Sequence, residues 1–486
     1  MHKTINHMVS RRNFIKAAGA TAAGLAISSL EGPEALASTA ESYSRIPGAN
    51  SKVNVALVGI GFRGEQNAVS FDKTGLMNVV ALCDVDMGAK HTQKIMDRFP
   101  KAKRYKDFRK MFDEMRGQID AVVVSTPDFA HFAICMRAIR EGISVYSEKP
   151  LGQTFLQNEL LIKAAKQHPE VVTQMGNQGH SEANYFQFKA WMDAGIIKDV
   201  YAVTAHMNND RRWHKYDPNI KKFPDAQPLP ETIDWDLWLM DRQWHDFSDK
   251  FHYGNWRCWY DFGMGALGDW GAHIIDTCHE FLDLGLPYEI ELLKATYHND
   301  YFFPMSSTIK FRFPRRGDMP ACDITWYDGV DNVPEVPKGY KFKGVAADIP
   351  TVNGGKLKPS KLTPGKEIYT NTYIFQGGSH ASTLNIIPEE LEKQLAAEGK
   401  LPEVPQTTSN HYANFLLAVL GKEKARSPFE KAGVLSEVFN LGVIAQRLGH
   451  GFKFDRNAKE VIGDPFATAM LSGMPPRKGW EEYYQI

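Results

Sequence analysis

At 486 residues the chain is longer than one ordinary hydrophobic core organises, which predicts two domains. Lys+Arg and Asp+Glu balance at 57 each, which excludes the basic field of a nucleic-acid binder and the polybasic face of a protein held to an anionic membrane. Cys83, Cys135, Cys258, Cys278 and Cys322 share no short spacing, so neither a zinc knuckle nor a disulfide framework is expected, and they read as buried small apolar residues.

The N-terminus carries an address. Ser10-Arg11-Arg12-Asn13-Phe14-Ile15-Lys16 matches the twin-arginine export pattern, a Gly/Ala-rich apolar run over 17–30 follows, and Ala35-Leu36-Ala37 offers small residues for cleavage. The run falls short of the roughly 20 residues that span a bilayer, so no stable membrane anchor is expected. Residues 1–37 read as a signal peptide and 38–51 as a flexible leader, and the expected location is periplasmic or otherwise exported. The twin-arginine route moves folded proteins, so a cofactor bound in the cytoplasm can travel inside the chain.

From residue 52 strand and helix alternate. A short apolar run over 53–58 ends in Gly59-Ile60-Gly61-Phe62-Arg63-Gly64 and leads to a helix over 65–71. Further strands are expected over 79–84, 121–125 and 144–147, with helices over 89–98, from Phe108, and over 131–141. Parallel neighbours need crossover connections, so this alternation predicts a doubly wound parallel sheet, a Rossmann domain over 52–175. Beyond residue 176 a helix over 185–194 leads to strands over 200–207, 288–297, 308–313 and 322–327 without regular helices between them. That pattern predicts an α/β substrate domain over 176–486 with a largely antiparallel sheet open on one face. Residues 330–405, rich in Pro, Gly and Lys, read as long loops around one strand at 372–375, and 408–420 and 432–448 read as closing helices.

The glycine spacing falls where a dinucleotide site needs it. Gly59 and Gly61 let the chain turn tightly and bring backbone N–H groups to a pyrophosphate, Gly64 lets the opening helix pack on the strand, and Phe62 and Arg63 share the loop. Asp84 ends the second strand about 20 residues on, where a carboxylate accepts hydrogen bonds from the adenosine ribose and repels a 2′-phosphate; NAD is therefore expected rather than NADP. The alternative for Asp84 is a cap or turn residue. Ser125-Thr126-Pro127-Asp128-Phe129-Ala130-His131 and Ser147-Glu148-Lys149-Pro150-Leu151 both lie at carboxyl ends of parallel strands, where such sheets bind ligands.

Together these segments resemble the glucose–fructose oxidoreductase, inositol dehydrogenase and MocA family (Gfo/Idh/MocA), whose Glu-Lys-Pro motif matches Glu148, Lys149 and Pro150. The resemblance implies that Lys149 reaches the nicotinamide ribose and the substrate, that Pro150 shapes the turn, and that Thr126, Pro127 and His131 line the cofactor cleft. Asp269 and His273 are four apart and share a face if a helix starts near Asp269. An imidazole beside a carboxylate suits proton transfer at a carbinol oxygen; the alternative is a capping Asp and a core His. Gly265-Ala266-Leu267-Gly268-Asp269-Trp270-Gly271-Ala272-His273 resembles the family's Asp-x-Gly-x-His motif, which implies that the pair faces the nicotinamide beside Lys149.

Substrate candidates are less sharply marked. Gln178 and His180 follow a strand at the domain junction, and His180 either touches substrate or caps the helix near Glu182. Arg211 and Trp213 follow the first strand of the second domain. Trp235, Trp238, Trp244, Trp256, Trp259 and Trp270 crowd one stretch, where aromatic faces either stack on sugar C–H faces or pack the loop. No metal site is expected, because no set of three or four ligands has a recognised spacing. The resemblance implies an NAD(P)-dependent oxidoreductase acting on a hydroxyl of a sugar, glycoside or cyclitol, with the cofactor tightly held, and a homo-oligomer, dimer or tetramer. Two alternatives stay open: a redox-neutral NAD-dependent glycosidase working through a transient keto-sugar, and a non-catalytic sugar-binding protein in which NAD is structural. Intact Glu148-Lys149-Pro150 favours the dehydrogenase, and retention of Lys149, Asp269 and His273 together argues against a mere binding protein.

Overall fold

Two sheets organise the residues described by the computed structural model, 51–208, 220–330, 332–341, 362–407 and 409–486. The first contains β1 (Val53–Val58), β2 (Met77–Cys83), β3 (Lys103–Tyr105), β4 (Ala121–Val124), β5 (Ser144–Ser147) and β6 (Thr173–Met175) in the order β3-β2-β1-β4-β5-β6. Every pair in it is parallel. Its central strands are apolar on both faces because helices cover both. Val53, Val55 and Leu57 pack with Ala68, Phe71 and Ile95, whereas Ala56 and Val58 pack with Phe112, Phe132 and Ile139. The order reverses between β1 and β4, which opens a crevice at their carboxyl ends, above Gly59 and Ser125.

A helix at Phe155–Gln167, not anticipated from the sequence, joins the two halves. Thr154 and Gln157 cap it reciprocally, and Asn158 donates to the Asn440 side chain on the long helix Phe429–Leu448 at 2.7 Å.

The second sheet is mixed and mostly antiparallel. It contains β7 (Val200–Met207), β8 (Glu289–Thr296), β9 (Ser306–Phe313), β10 (Cys322–Asp328), β11 (Gly365–Thr370), β12 (Ile374–Gly378), β13 (Asn385–Ile387), β14 (Phe452–Asp455) and β15 (Glu460–Val461), in the order β13-β12-β11-β7-β10-β9-β8-β14-β15. Only the β7–β10 pair among these neighbours is parallel. The register separates its faces. Val203, Ile324, Phe311 and Ile290 share the buried side, and Thr204, Thr325, Lys310 and Glu291 share the other. The long stretch expected as loops around one strand instead supplies β11, β12, β13 and a helix at Glu389–Ala397. β13 pairs with β12 and β12 with β11 close by in sequence, but the stretch joins the sheet only through β11, whose other partner, β7, is far away in sequence.

The helix Gly265–Ile274 packs between this sheet and the long helix; a Cβ on Gly271 would lie 2.7 Å from the Phe439 ring. It starts four residues before Asp269, earlier than expected, yet Asp269 and His273 still project from one face.

Candidate active site

A cavity of about 630 Å³ lies between the strand ends of the first sheet and the helix Gly265–Ile274. Gly59, Gly61, Phe62 and Arg63 form one wall with Asp84, Thr126, Pro127, Glu148 and Lys149. Gly59 has φ +77, and its missing Cβ would meet the Ser125 carbonyl carbon at 2.8 Å. Gly64 stands behind the loop, where a Cβ would lie 1.9 Å from the Gly59 oxygen, so only hydrogen lets the helix Arg63–Asp72 pack this close. The Asp84 carboxylate accepts from the Ile60 and Asp86 backbone N–H groups, each at 2.9 Å, tying the loop to the end of β2. Burial pushes this carboxyl up from its ordinary value.

Glu148 does not face the cavity as a free acid. It is 4 % exposed and accepts from Arg63 Nε and Asn67 Nδ2 at 2.9 Å. Burial alone would raise its pKa, but Arg63, Lys149 and Asn67 outweigh it and hold the carboxyl below its usual range. These bonds tie the glycine loop and the helix after it to the end of β5. The Lys149–Pro150 peptide is cis. Pro150 and His131 stand behind the wall rather than in it, which corrects the expectation that His131 lines the cleft. The imidazole is 1 % exposed and bridges the two strand-end loops, with Nδ1 at 2.8 Å from the Pro150 oxygen and Nε2 at 2.9 Å from the Thr126 oxygen.

Lys149 reaches from this wall to Asp269 on the helix opposite, which also carries His273, and all three line the cavity. Lys149 Nζ donates to the Asp269 backbone oxygen at 2.7 Å and also to its carboxylate, which Arg257 Nε approaches at 3.6 Å. His273 lies one turn further along the helix and stacks on His380, with ring centroids 4.0 Å apart and planes at 18°. The His380 N–H donates to the His273 carbonyl at 3.0 Å, and Trp270 stands edge-on to His380 at 5.4 Å. All of these, with Gln178, line the cavity. His380 and Arg257 escaped the sequence reading: the first sits in the stretch taken for loops, and the second among tryptophans that drew attention first.

Other candidates fall elsewhere. His180 is 3 % exposed and held away from the cavity by Asp276 (3.1 Å), Glu280 (3.4 Å) and the Arg426 carbonyl (3.1 Å), so it is neither a substrate contact nor a cap. Trp235 stacks on Trp238 at 4.3 Å and Trp259 is buried; of the six tryptophans only Trp238, Trp256 and Trp270 reach the cavity. Arg211 and Trp213 lie outside the described residues, as does the twin-arginine segment.

Residues 53–176 match an oxidoreductase family of NAD-binding Rossmann fold, and residues 183–363 match that family's C-terminal α/β domain. The chain belongs to the Gfo/Idh/MocA oxidoreductase family. Residues 8–28 match a twin-arginine translocation signal sequence, which marks this Gfo/Idh/MocA member for export. Among its relatives is the inositol 2-dehydrogenase/D-chiro-inositol 3-dehydrogenase of Lactiplantibacillus plantarum, 28% identical over 38% of this chain and 52% of that protein. Another is the alpha-N-acetylgalactosaminidase of Shewanella oneidensis, 25% identical over 44% and 49%. The chain thus spans about half the length of the curated relatives it matches. The WlbA dehydrogenase of Bordetella pertussis, solved with NADH and UDP-GlcNAcA, shares the fold at a TM-score of 0.55 and 14% identity, with 84% of this chain covering 99% of that one. The NAD-binding domain and the built cleft agree: the glycine loop is open on the cavity side, Asp84 offers carboxylate oxygens to a ribose, and the buried Thr126 hydroxyl lacks a partner among the described residues.

Proposed function

We propose that this protein oxidises a hydroxyl of a sugar, glycoside or cyclitol with a tightly bound NAD, and that Lys149, Asp269 and His273 carry the chemistry. The observation behind this reading is the Lys149–Asp269 pair, which joins the strand end of the cofactor domain to the helix of the substrate domain inside one cavity. NAD, when bound, supplies the hydride acceptor. The chain's own part is orientation and the proton. Lys149, fixed by Asp269, points its ammonium into the cavity and holds the reacting oxygen through a charge-assisted hydrogen bond. His273 takes the proton from that oxygen as the hydride leaves the carbon, and returns it in the reverse direction. His380, stacked on His273, restricts the imidazole to one plane. We assign residues 52–175 to cofactor binding and 176–486 to substrate binding and, through the outer face of the second sheet, to pairing of copies.

Free nicotinamide cofactor is scarce outside the inner membrane, so an exported member of the family needs its NAD to stay in place. A second substrate then restores the cofactor, or the same sugar is reduced again. The glycosidase relative favours keeping the second route as an alternative: a transient ketone acidifies the neighbouring C–H, and elimination breaks the glycosidic bond. Incubating the holoprotein with free sugars, cyclitols and glycosides separates the readings. A keto product supports the oxidoreductase, released monosaccharide with unchanged cofactor supports the glycosidase, and neither product from any class of compound overturns both.

A further inference from the structure

The cavity extends past the reacting groups to an end that the catalytic reading does not use. Asp84 marks it as the end where the adenosine ribose of a dinucleotide lies. Two residues on, Asp86 is 2 % exposed, and one of its carboxylate oxygens finds no donor among the described residues. Above this end stands the Trp-rich segment over 231–262, which belongs to the second domain yet is bonded to the first. The Asp234 N–H donates to the Val85 carbonyl at 2.9 Å, and Lys106 Nζ to the Thr232 carbonyl at 3.0 Å. Gly88 leaves so little space that a Cβ there would sit 2.9 Å from the Thr232 methyl group.

The apex of the segment is Tyr253-Gly254, with φ +50 and φ +96. Two successive left-handed residues reverse the chain sharply, and tyrosine rarely accepts that conformation. The result is a cage of rings. Tyr253 stands edge-on to His91 (5.6 Å, 89°) and to Phe62 (6.1 Å, 74°), Phe62 stacks on His91 (4.9 Å, 19°), and His252 backs Tyr253 at 4.0 Å. Burial pushes the His252 imidazole down to about 4, so it is a neutral aromatic wall at physiological pH. Phe62, too, has a left-handed φ of 47. Although Phe62 and Tyr253 line the cavity, 59% and 54% of their surfaces are exposed. Large rings held in a disfavoured backbone, at the rim of a cavity and left more than half open, present flat faces to a flat partner.

We propose that Tyr253, carried over from the substrate domain, clamps the adenosine half of NAD against Phe62 and His91, so that the cofactor is held by both domains and leaves only when the apex lifts. The inference rests on the NAD reading above and extends it to Tyr253 and His91, which lie outside the glycine loop. It also supplies a physical reason for retention, because release then requires breaking contacts of the 231–262 segment as well as those of the Rossmann domain. The paired carboxylates Asp84 and Asp86 make this end unfavourable for a 2′-phosphate.

The test is binding of ADP-ribose, which has the adenosine end and no nicotinamide, to protein stripped of cofactor, together with the release rate of bound NAD into excess labelled NAD. Stacking on a base corresponds to about ten- to a hundredfold in affinity. Tyr253→Ala should weaken ADP-ribose and NAD by that factor and speed NAD release alike, with nicotinamide mononucleotide bound as in wild type. Tyr253→Phe should restore all three values. Trp244→Ala, on the same segment with its ring 57% exposed and outside this cavity, should change none of them. Tyr253 is exposed enough that its truncation opens no core, and Phe62→Ala repeats the test from the other side of the cage. Wild-type affinity for ADP-ribose in Tyr253→Ala overturns the proposal, as does an equal loss for nicotinamide mononucleotide. If wild type itself binds neither NAD nor ADP-ribose, the NAD reading fails first and is seen to fail.

Discussion

The wall of the cleft that faces the dinucleotide is assembled from the ends of neighbouring strands, β1, β2, β4 and β5, each giving its functional residue within a few positions of its last paired residue. The opposite wall collects Gln178, Arg257, Asp269, His273 and His380 from a short 3₁₀ turn, a strap, a helix and a loop after β12. The first wall positions backbone N–H groups and one carboxylate, which a repeated topology can do for any nucleotide. The second positions side chains, and it holds them by packing: His273 on His380, and Gly271 on Phe439. Damage to the glycine loop and damage to the Lys149, Asp269 and His273 cluster should therefore separate into loss of binding and loss of chemistry.

The largest expected effect is on chemistry. Positioned acid–base groups contribute about 10²- to 10⁴-fold, so Lys149→Ala or His273→Ala should lower turnover by that order while NAD stays bound. Because Lys149 and Asp269 act as one pair, Lys149→Ala combined with Asp269→Ala should lose far less than the product of the two single losses, measured as kcat/KM in a double-mutant cycle. Next comes the cofactor wall. In Gly64→Ala the new methyl group would meet a backbone oxygen, which cannot swing aside. Overpacking of this kind costs about 1–3 kcal/mol, or roughly ten- to a hundredfold in NAD affinity if the loop shifts to relieve it. Calorimetric titration should show that loss, with turnover at saturating NAD nearly kept. Equal losses of both kinds from either variant would break the contrast.

The cofactor wall was legible in the sequence because its signal is local. A strand, three glycines at fixed spacing and an acid at the next strand end occupy one short stretch, and Glu148, Lys149 and Pro150 are contiguous. Asp269 and His273 were legible for the same reason, being one helical turn apart. His380 was not: it reaches the site only because β11 pairs with β7 across a long intervening stretch, and its neighbours resemble loop composition. His180 misled in the opposite way. A histidine after a strand at a domain junction looks the same in sequence whether it faces a cavity or, as here, the carboxylates of Asp276 and Glu280.

That buried cluster gives the smallest predicted effect and belongs to neither wall. Burial alone would lower the His180 imidazole, but Asp276 and Glu280 raise it above its ordinary 6.5. Burial alone would raise Asp276, but His180 holds it below 3.8. A raised imidazole stabilises fully below its unfolded value and loses that contribution as pH rises through the folded value. A lowered carboxyl stabilises above its unfolded value and loses that contribution as pH falls through the folded one. The melting-temperature gap between wild type and His180→Gln should accordingly be widest near about pH 5.5 and narrow toward alkaline pH. A gap that keeps widening above about pH 7 would contradict the assigned ion pair.

Hydride transfer to the bound NAD is read most directly in a single turnover of the holoprotein, with reduced nicotinamide followed by its absorbance on mixing with cyclitols, free sugars and glycosides. At least one of these classes should give a rise approaching one equivalent per bound NAD, slowed by about 10²- to 10⁴-fold in Lys149→Ala and His273→Ala, although both variants carry the same NAD. Wild-type speed in both variants, or no reduced nicotinamide from any class while NAD is demonstrably bound, would contradict it.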